Sequence, residues 1–169
     1  MDAIPDETPA AAAAADPVDA TIDAAGVLLR VAARSVQHVE DIVTSPQLRV
    51  LMLIELSGPQ TLGGVAAELG VHASNATRTC EKLVQARLIT RREDATDRRF
   101  VRLELTRKGR QLVERVIAER REAMADILRR VPAADRDTVA RGFRLFADAA
   151  GVDPSRDGRF TLGPAPSAD

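Results

Sequence analysis

"LGGVAAELGVHASNATRTCEKLVQARLITR", residues 62–91, decides the fold. Two short helical patterns, 61–69 and 73–87, meet at Gly70, Val71 and His72. Gly70 suits the left-handed position that ends a helix, Val71 is expected to plug the corner, and His72 stands at the N-cap of the second helix. Ala66, Leu69, Ala76, Cys80 and Leu83 recur at helical spacing and are expected to supply a shared core. The pattern is a helix-turn-helix.

Directly after it, "LITRRE" (88–93) and "FVRLELT" (100–106) flank a polar turn. Val101, Leu103 and Leu105 alternate with Arg102 and Glu104, the period of a strand, which predicts a β-hairpin. Upstream, "TSPQLRVLMLIEL" (44–56) predicts a helix with Ser45 as N-cap and Pro46 at the first helical position, stopped by Gly58 and Pro59. Before that, Val18, Ile22, Ala25, Leu29, Ala32, Val36 and Val39 predict a long first helix running to about Val43. Val27, Leu28 and Val31 widen its apolar surface beyond one stripe, so it asks for burial on two sides. Downstream, Thr106 is expected to cap a helix from 107 to about 130 that Pro132 ends, and Val139, Phe143 and Phe146 mark a last helix over about 134–149.

The composition agrees. Hydrophobic residues are 45% of the chain, but aromatics only 2%; Ala, Leu and Val in that balance favour helices over sheets. The predicted fold is therefore mainly α with a small β-hairpin wing, a winged helix-turn-helix lobe over about 45–106 and helices about 18–43 and 107–150 around it. The ends, "MDAIPDETPAAAAAADP" (1–17) and "GVDPSRDGRFTLGPAPSAD" (151–169), lack periodicity and are predicted disordered. One cysteine and two distant histidines call for neither a disulfide nor a metal, and no cofactor motif is present. A soluble, cytoplasmic protein without a membrane segment is expected. Without a nucleophile beside a base, paired carboxylates in an apolar setting or a phosphate loop, an enzyme is not.

The net charge of -1 hides an asymmetry. Residues 73–110 hold eleven basic and five acidic side chains, a surplus of six, while the rest of the chain carries thirteen basic and twenty acidic. The basic third coincides with the second helix of the helix-turn-helix and the hairpin, which points to a phosphate backbone. A winged-helix module serving an acidic protein partner is the alternative, and the salt dependence of duplex binding separates the two.

Four pieces in this order resemble the MarR family of winged-helix transcription regulators: "TSPQLRVL" (44–51), the stretch 62–91, "DATDRR" (94–99) and "LELTRKGRQL" (103–112). The resemblance covers roughly residues 20–150. It implies a homodimer joined through its terminal helices, binding a pseudo-palindromic operator on double-stranded DNA as a repressor, and released by a small-molecule effector.

Within the second helix, Ala76, Cys80, Leu83 and Val84 share one face, so Ser74, Asn75, Thr77, Arg78 and Lys82 turn towards the other or its margins. Arg78 can pair bidentately with guanine, Asn75 can read adenine or cap the helix, and Ser74 and Thr77 can meet phosphate or a thymine methyl. Lys82 suits a phosphate. In the wing, the resemblance implies that Asp97 braces a basic side chain while Arg99, with Arg98 beside it, enters the minor groove. Of Arg91 and Arg92, one is expected to face the duplex and the other solvent or an acidic neighbour. Cys80 reads as a small core hydrophobe rather than a redox sensor. His38 and Arg49 are the polar residues nearest the cleft where the family binds effectors.

Overall fold

Ser45–Ser57 (α2) is the axis of the core, with Leu48, Val50, Leu51, Met52 and Ile54 all buried. A helix that is apolar on nearly every side is stable only when neighbours cover it all round, and the other elements do so. The computed structural model describes residues 16–93 and 101–151. The expectations for the two tails, apart from Asp16, Pro17 and Gly151, and for the wing tip with Asp97, Arg98 and Arg99 lie outside those residues.

In chain order the elements are α1 (Pro17–Gln37), α2, α3 (Leu62–Leu69), α4 (Ala73–Gln85), β1 (Ile89–Glu93), β2 (Val101–Leu105), α5 (Arg107–Arg130), a 3-10 turn (Ala133–Asp135) and α6 (Arg136–Ala149). The hairpin is antiparallel, with Ile89 opposite Leu105 and Arg91 opposite Leu103. Gln60 adds a one-residue third strand, exchanging backbone bonds of 3.0 and 2.7 Å with Leu103. Val65, Ala76, Cys80, Leu83, Leu88, Ile89, Leu103, Val113 and Val116 close the core around α2. No helix among the described residues is long and apolar enough to cross a membrane.

Four local expectations are corrected. The first helix starts at Pro17, with the Asp16 side chain accepting from the Val18 N–H, and it stops at Gln37 rather than about Val43. Val39 and Val43 continue the apolar spacing because the turn that follows pins both into the core, with Val43 N–H donating to the Val39 carbonyl. Thr44, not Ser45, is the N-cap of α2; its backbone N–H donates to Gln47 Oε1 at 2.8 Å, half of a capping box. Val71 does not plug the corner of the helix-turn-helix, being 38% exposed, whereas Val65 in the middle of α3 is fully buried. Gly70 does take the left-handed conformation expected of it, at φ 64° and ψ 36°.

A second left-handed residue ends α4. Arg87 has φ 58°, and the Leu88 N–H donates back to the Leu83 carbonyl at 2.9 Å, the closure that usually carries glycine. An L side chain there costs about 1–2 kcal/mol, less the entropy that glycine gives the unfolded chain. Arg87→Gly is therefore expected to raise stability by roughly 0.5–1 kcal/mol, visible as a higher urea midpoint at unchanged slope.

Candidate nucleic-acid interface

The recognition helix α4 is sided. Ala76, Cys80 and Leu83 are fully buried against α2 and α3, while Ser74, Asn75, Arg78 and Lys82 are exposed on the outer side. Four of the five residues proposed from sequence thus share one accessible surface. Thr77 lies at its margin, half-buried, with its hydroxyl donating to the Ala73 carbonyl at 2.9 Å. That bond occupies the hydroxyl proton but leaves the oxygen able to accept. His72 is the N-cap, as expected, and supplies no side-chain bond to the helix start.

The hairpin resolves the two arginines of its rising strand. Arg92 pairs with Glu104 at 3.2 Å on the outer face, so it is the one that takes an acidic neighbour. Arg91 stands opposite the buried Leu103, on the hairpin face turned to the lobe, yet its own side chain is exposed. Its charge reaches α4: burial pushes the Cys80 thiol above its ordinary range, and Arg91 pulls it partly back. Cys80 is fully buried, which is the core position read for it from spacing.

His38 and Arg49 are not brought together. Arg49 lines a cavity of about 480 Å³ between α1 and α2, with Leu29, Ala32, Val36, Leu48 and Met52 as apolar walls. Its Nη2 donates to the Glu68 carbonyl at 2.7 Å, and Nη2 lies 3.6 Å from Glu68 Oε1. His38 lines a separate, polar cavity of about 330 Å³ and meets Glu119 at 3.0 Å. The charged residues that do share the cavity with Arg49 are Glu40 and, from α5, Arg120, both of which sequence reasoning missed. Arg120 is 6% exposed, its Nε donates to Ser35 Oγ at 2.7 Å, and burial lowers its pKa from the ordinary arginine value. Only its place on a helix position otherwise occupied by Val113 and Val116 could have flagged it. Among the described residues no three His, Cys, Asp or Glu side chains gather as a metal site.

Comparison with known proteins follows the same outline. Residues 43–99 match the model of the MarR family. The HTH-type transcriptional repressor MdtR of Bacillus subtilis (strain 168) is 35% identical over 86 residues, 51% of this chain and 56% of that protein. YsmB of the same organism, an HTH-type transcriptional regulator, is 28% identical over 85 residues, 50% of this chain and 58% of its own length. The match thus spans little more than half the length of these curated relatives. The crystal structure of RV1404 from Mycobacterium tuberculosis superimposes with a TM-score of 0.69 at 34% identity, covering 80% of this chain and 92% of that one. The two Bacillus subtilis relatives are regulators of transcription, not enzymes. A winged lobe in this order of elements and a relative matched over nearly its whole length lead to one conclusion: the chain belongs to the MarR family of winged-helix transcriptional regulators.

Proposed function

We propose that the protein is a sequence-specific DNA-binding repressor of the cytoplasm, acting as a homodimer on a pseudo-palindromic operator and released by a small-molecule effector. The observation that carries this reading is the sided recognition helix, its apolar face buried and Ser74, Asn75, Arg78 and Lys82 displayed outward beside a basic hairpin. An uncapped helix start next to those residues can receive a phosphate oxygen. Arg78 and Asn75 read base edges, Lys82 takes a phosphate, and Ser74 and Thr77 position the helix. In the wing, Asp97 supports the arginines and Arg99, with Arg98, enters the minor groove.

Dimerisation is supported by apolar surface that one chain leaves uncovered. Val18, Ile22 and Leu29 of α1 and Phe143, Leu145 and Phe146 of α6 are all exposed, and a groove of about 510 Å³ lies between the two helices. Exposed apolar side chains of this size, with a groove between α1 and α6 lined by Leu28, Val139, Phe143 and Phe146, belong to an interface rather than to solvent. For the effector, the cavity at Arg49 and Arg120 has apolar walls and two guanidinium groups against one carboxylate, that of Glu40, and this surplus of positive charge suits an apolar molecule carrying an anion. His38 lines the separate polar cavity, where it is paired with Glu119.

Selection of bound sequences from random duplexes, followed by mobility shifts, tests the reading. With no Trp or Tyr in the chain, the label must be on the DNA. Arg78→Ala and Arg99→Ala are each expected to cost about 1–3 kcal/mol; Arg99→Ala weakens binding to most sequences, whereas Arg78→Ala also relaxes base preference. Affinity that stays level between about 50 and 200 mM salt would contradict DNA binding.

A further inference from the structure

The exit of the recognition helix is held by the start of α5. Three consecutive backbone carbonyls, those of Ala86, Arg87 and Leu88, each accept a hydrogen bond from it. Lys108 Nζ donates to the Ala86 carbonyl at 3.1 Å, Thr106 Oγ1 to that of Arg87 at 2.7 Å, and the Thr106 backbone N–H to that of Leu88 at 3.0 Å. Thr106 Oγ1 also accepts from the Gly109 N–H at 3.1 Å, so one side chain both caps α5 and grips α4's exit. Gly109 presses so close that a Cβ there would overlap the Leu88 carbonyl oxygen.

A second observation is a charge pattern of the wrong sign. The first turn of α5 has no acidic residue and carries Arg107, Lys108 and Arg110. The N-terminus of a helix is the positive end of its dipole, where a cation is disfavoured. A local rule broken this way needs a gain elsewhere. Lys108 finds it at the carbonyl end of α4, which is the negative end of that helix, and Arg110 finds it at Glu55 of α2, 3.1 Å away. Both cations leave their own helix to hold the lobe.

We propose that Thr106 and Lys108 are positioning residues that set the angle between the recognition helix and α5, so that the recognition helix follows α5 wherever that helix is carried. The inference rests on the DNA-binding reading above. In a dimer joined by helices that include α5, this angle determines the separation of the two recognition helices, and an operator with half-sites about one helical turn apart tolerates little error in it. The Lys108 bond is solvent-exposed and adds little to stability, so its loss should change geometry rather than melting.

Two measurements on the full chain decide the matter, with Lys108→Met removing the ammonium and Lys108→Arg restoring a donor. In the first, nitroxide labels on Gln85→Cys and Arg121→Cys, both exposed positions, report the intrachain distance between α4 and α5 after dilution with unlabelled chain. A narrow distribution that broadens in Lys108→Met and narrows again in Lys108→Arg supports the clamp; an unchanged distribution in Lys108→Met overturns it. In the second, the selected operator is compared with the same duplex lengthened by one base pair between half-sites. Wild type should lose about tenfold in affinity and Lys108→Met less than about threefold, with Lys108→Arg returning to the wild-type penalty. Equal penalties in wild type and Lys108→Met overturn the proposal. Should wild type bind no duplex at low salt, the DNA-binding reading fails, and the label distances alone settle the clamp.

Discussion

Gly109→Ala is expected to lower the stability of the folded chain by about 3 kcal/mol. In an ordinary helix the same change stabilises by about 1 kcal/mol, because alanine loses less backbone entropy. The sign reverses here because the new methyl would overlap the Leu88 carbonyl oxygen, 3.0 Å from the carbonyl carbon and 3.3 Å from Leu105 Cδ2. The obstructing atom belongs to the backbone, and that backbone is held by Thr106 on one side and by the left-handed Arg87 on the other. Relief therefore requires α5 to move away from the hairpin base, with loss of the bonds from residues 106 and 108. Chemical denaturation with a midpoint at or above wild type would show that α5 is not seated as described.

Ser35→Ala is expected to cost about 2 kcal/mol, more than a surface serine could. Ser35 Oγ, 3% exposed, donates to the Ala32 carbonyl and accepts from Arg120 Nε, both at 2.7 Å. Removing the oxygen takes a partner from a buried charge, which is costlier than removing both partners together. The double variant Ser35→Ala/Arg120→Leu should accordingly recover to within about 1 kcal/mol of wild type. Additive losses in a denaturation cycle would rule out this coupling. Arg120→Leu alone should fold, yet release DNA less readily in response to an anionic effector, because the cavity it lines with Arg49 loses a cation.

Much of the fold was legible before any coordinates. Thr106 is the cap of α5, Gly70 is the left-handed corner, and Leu103 lies buried on the inner face of an alternating strand. Each of these depends on a few neighbouring residues, because caps, turns and periodicities are properties of one or two turns of chain. The exposed side of α4 follows from the same local logic, which is why Ser74, Asn75, Arg78 and Lys82 could be named together.

What failed or stayed open involved contacts across the chain. The apolar spacing of α1 continues through Val39 and Val43, but the helix does not, since a buried turn imposes the same spacing as a helix. Thr44 outcompetes Ser45 as cap because Gln47 can reach back only to the former. Val71 stays exposed while Val65 is buried, because the packing of α3 on α2 and α4, not the corner itself, sets the depth of burial.

The sequence by itself determined the order of elements, the sided recognition helix and the basic third of the chain, all encoded within short windows. Tertiary structure alone decided that Arg92 is committed to Glu104, that Arg120 meets Ser35 from 85 residues away, that His38 and Arg49 part company, and that α5 grips the exit of α4. The reason is physical: a periodicity states which face is apolar, but only packing brings distant faces together and thereby chooses a buried charge's partner.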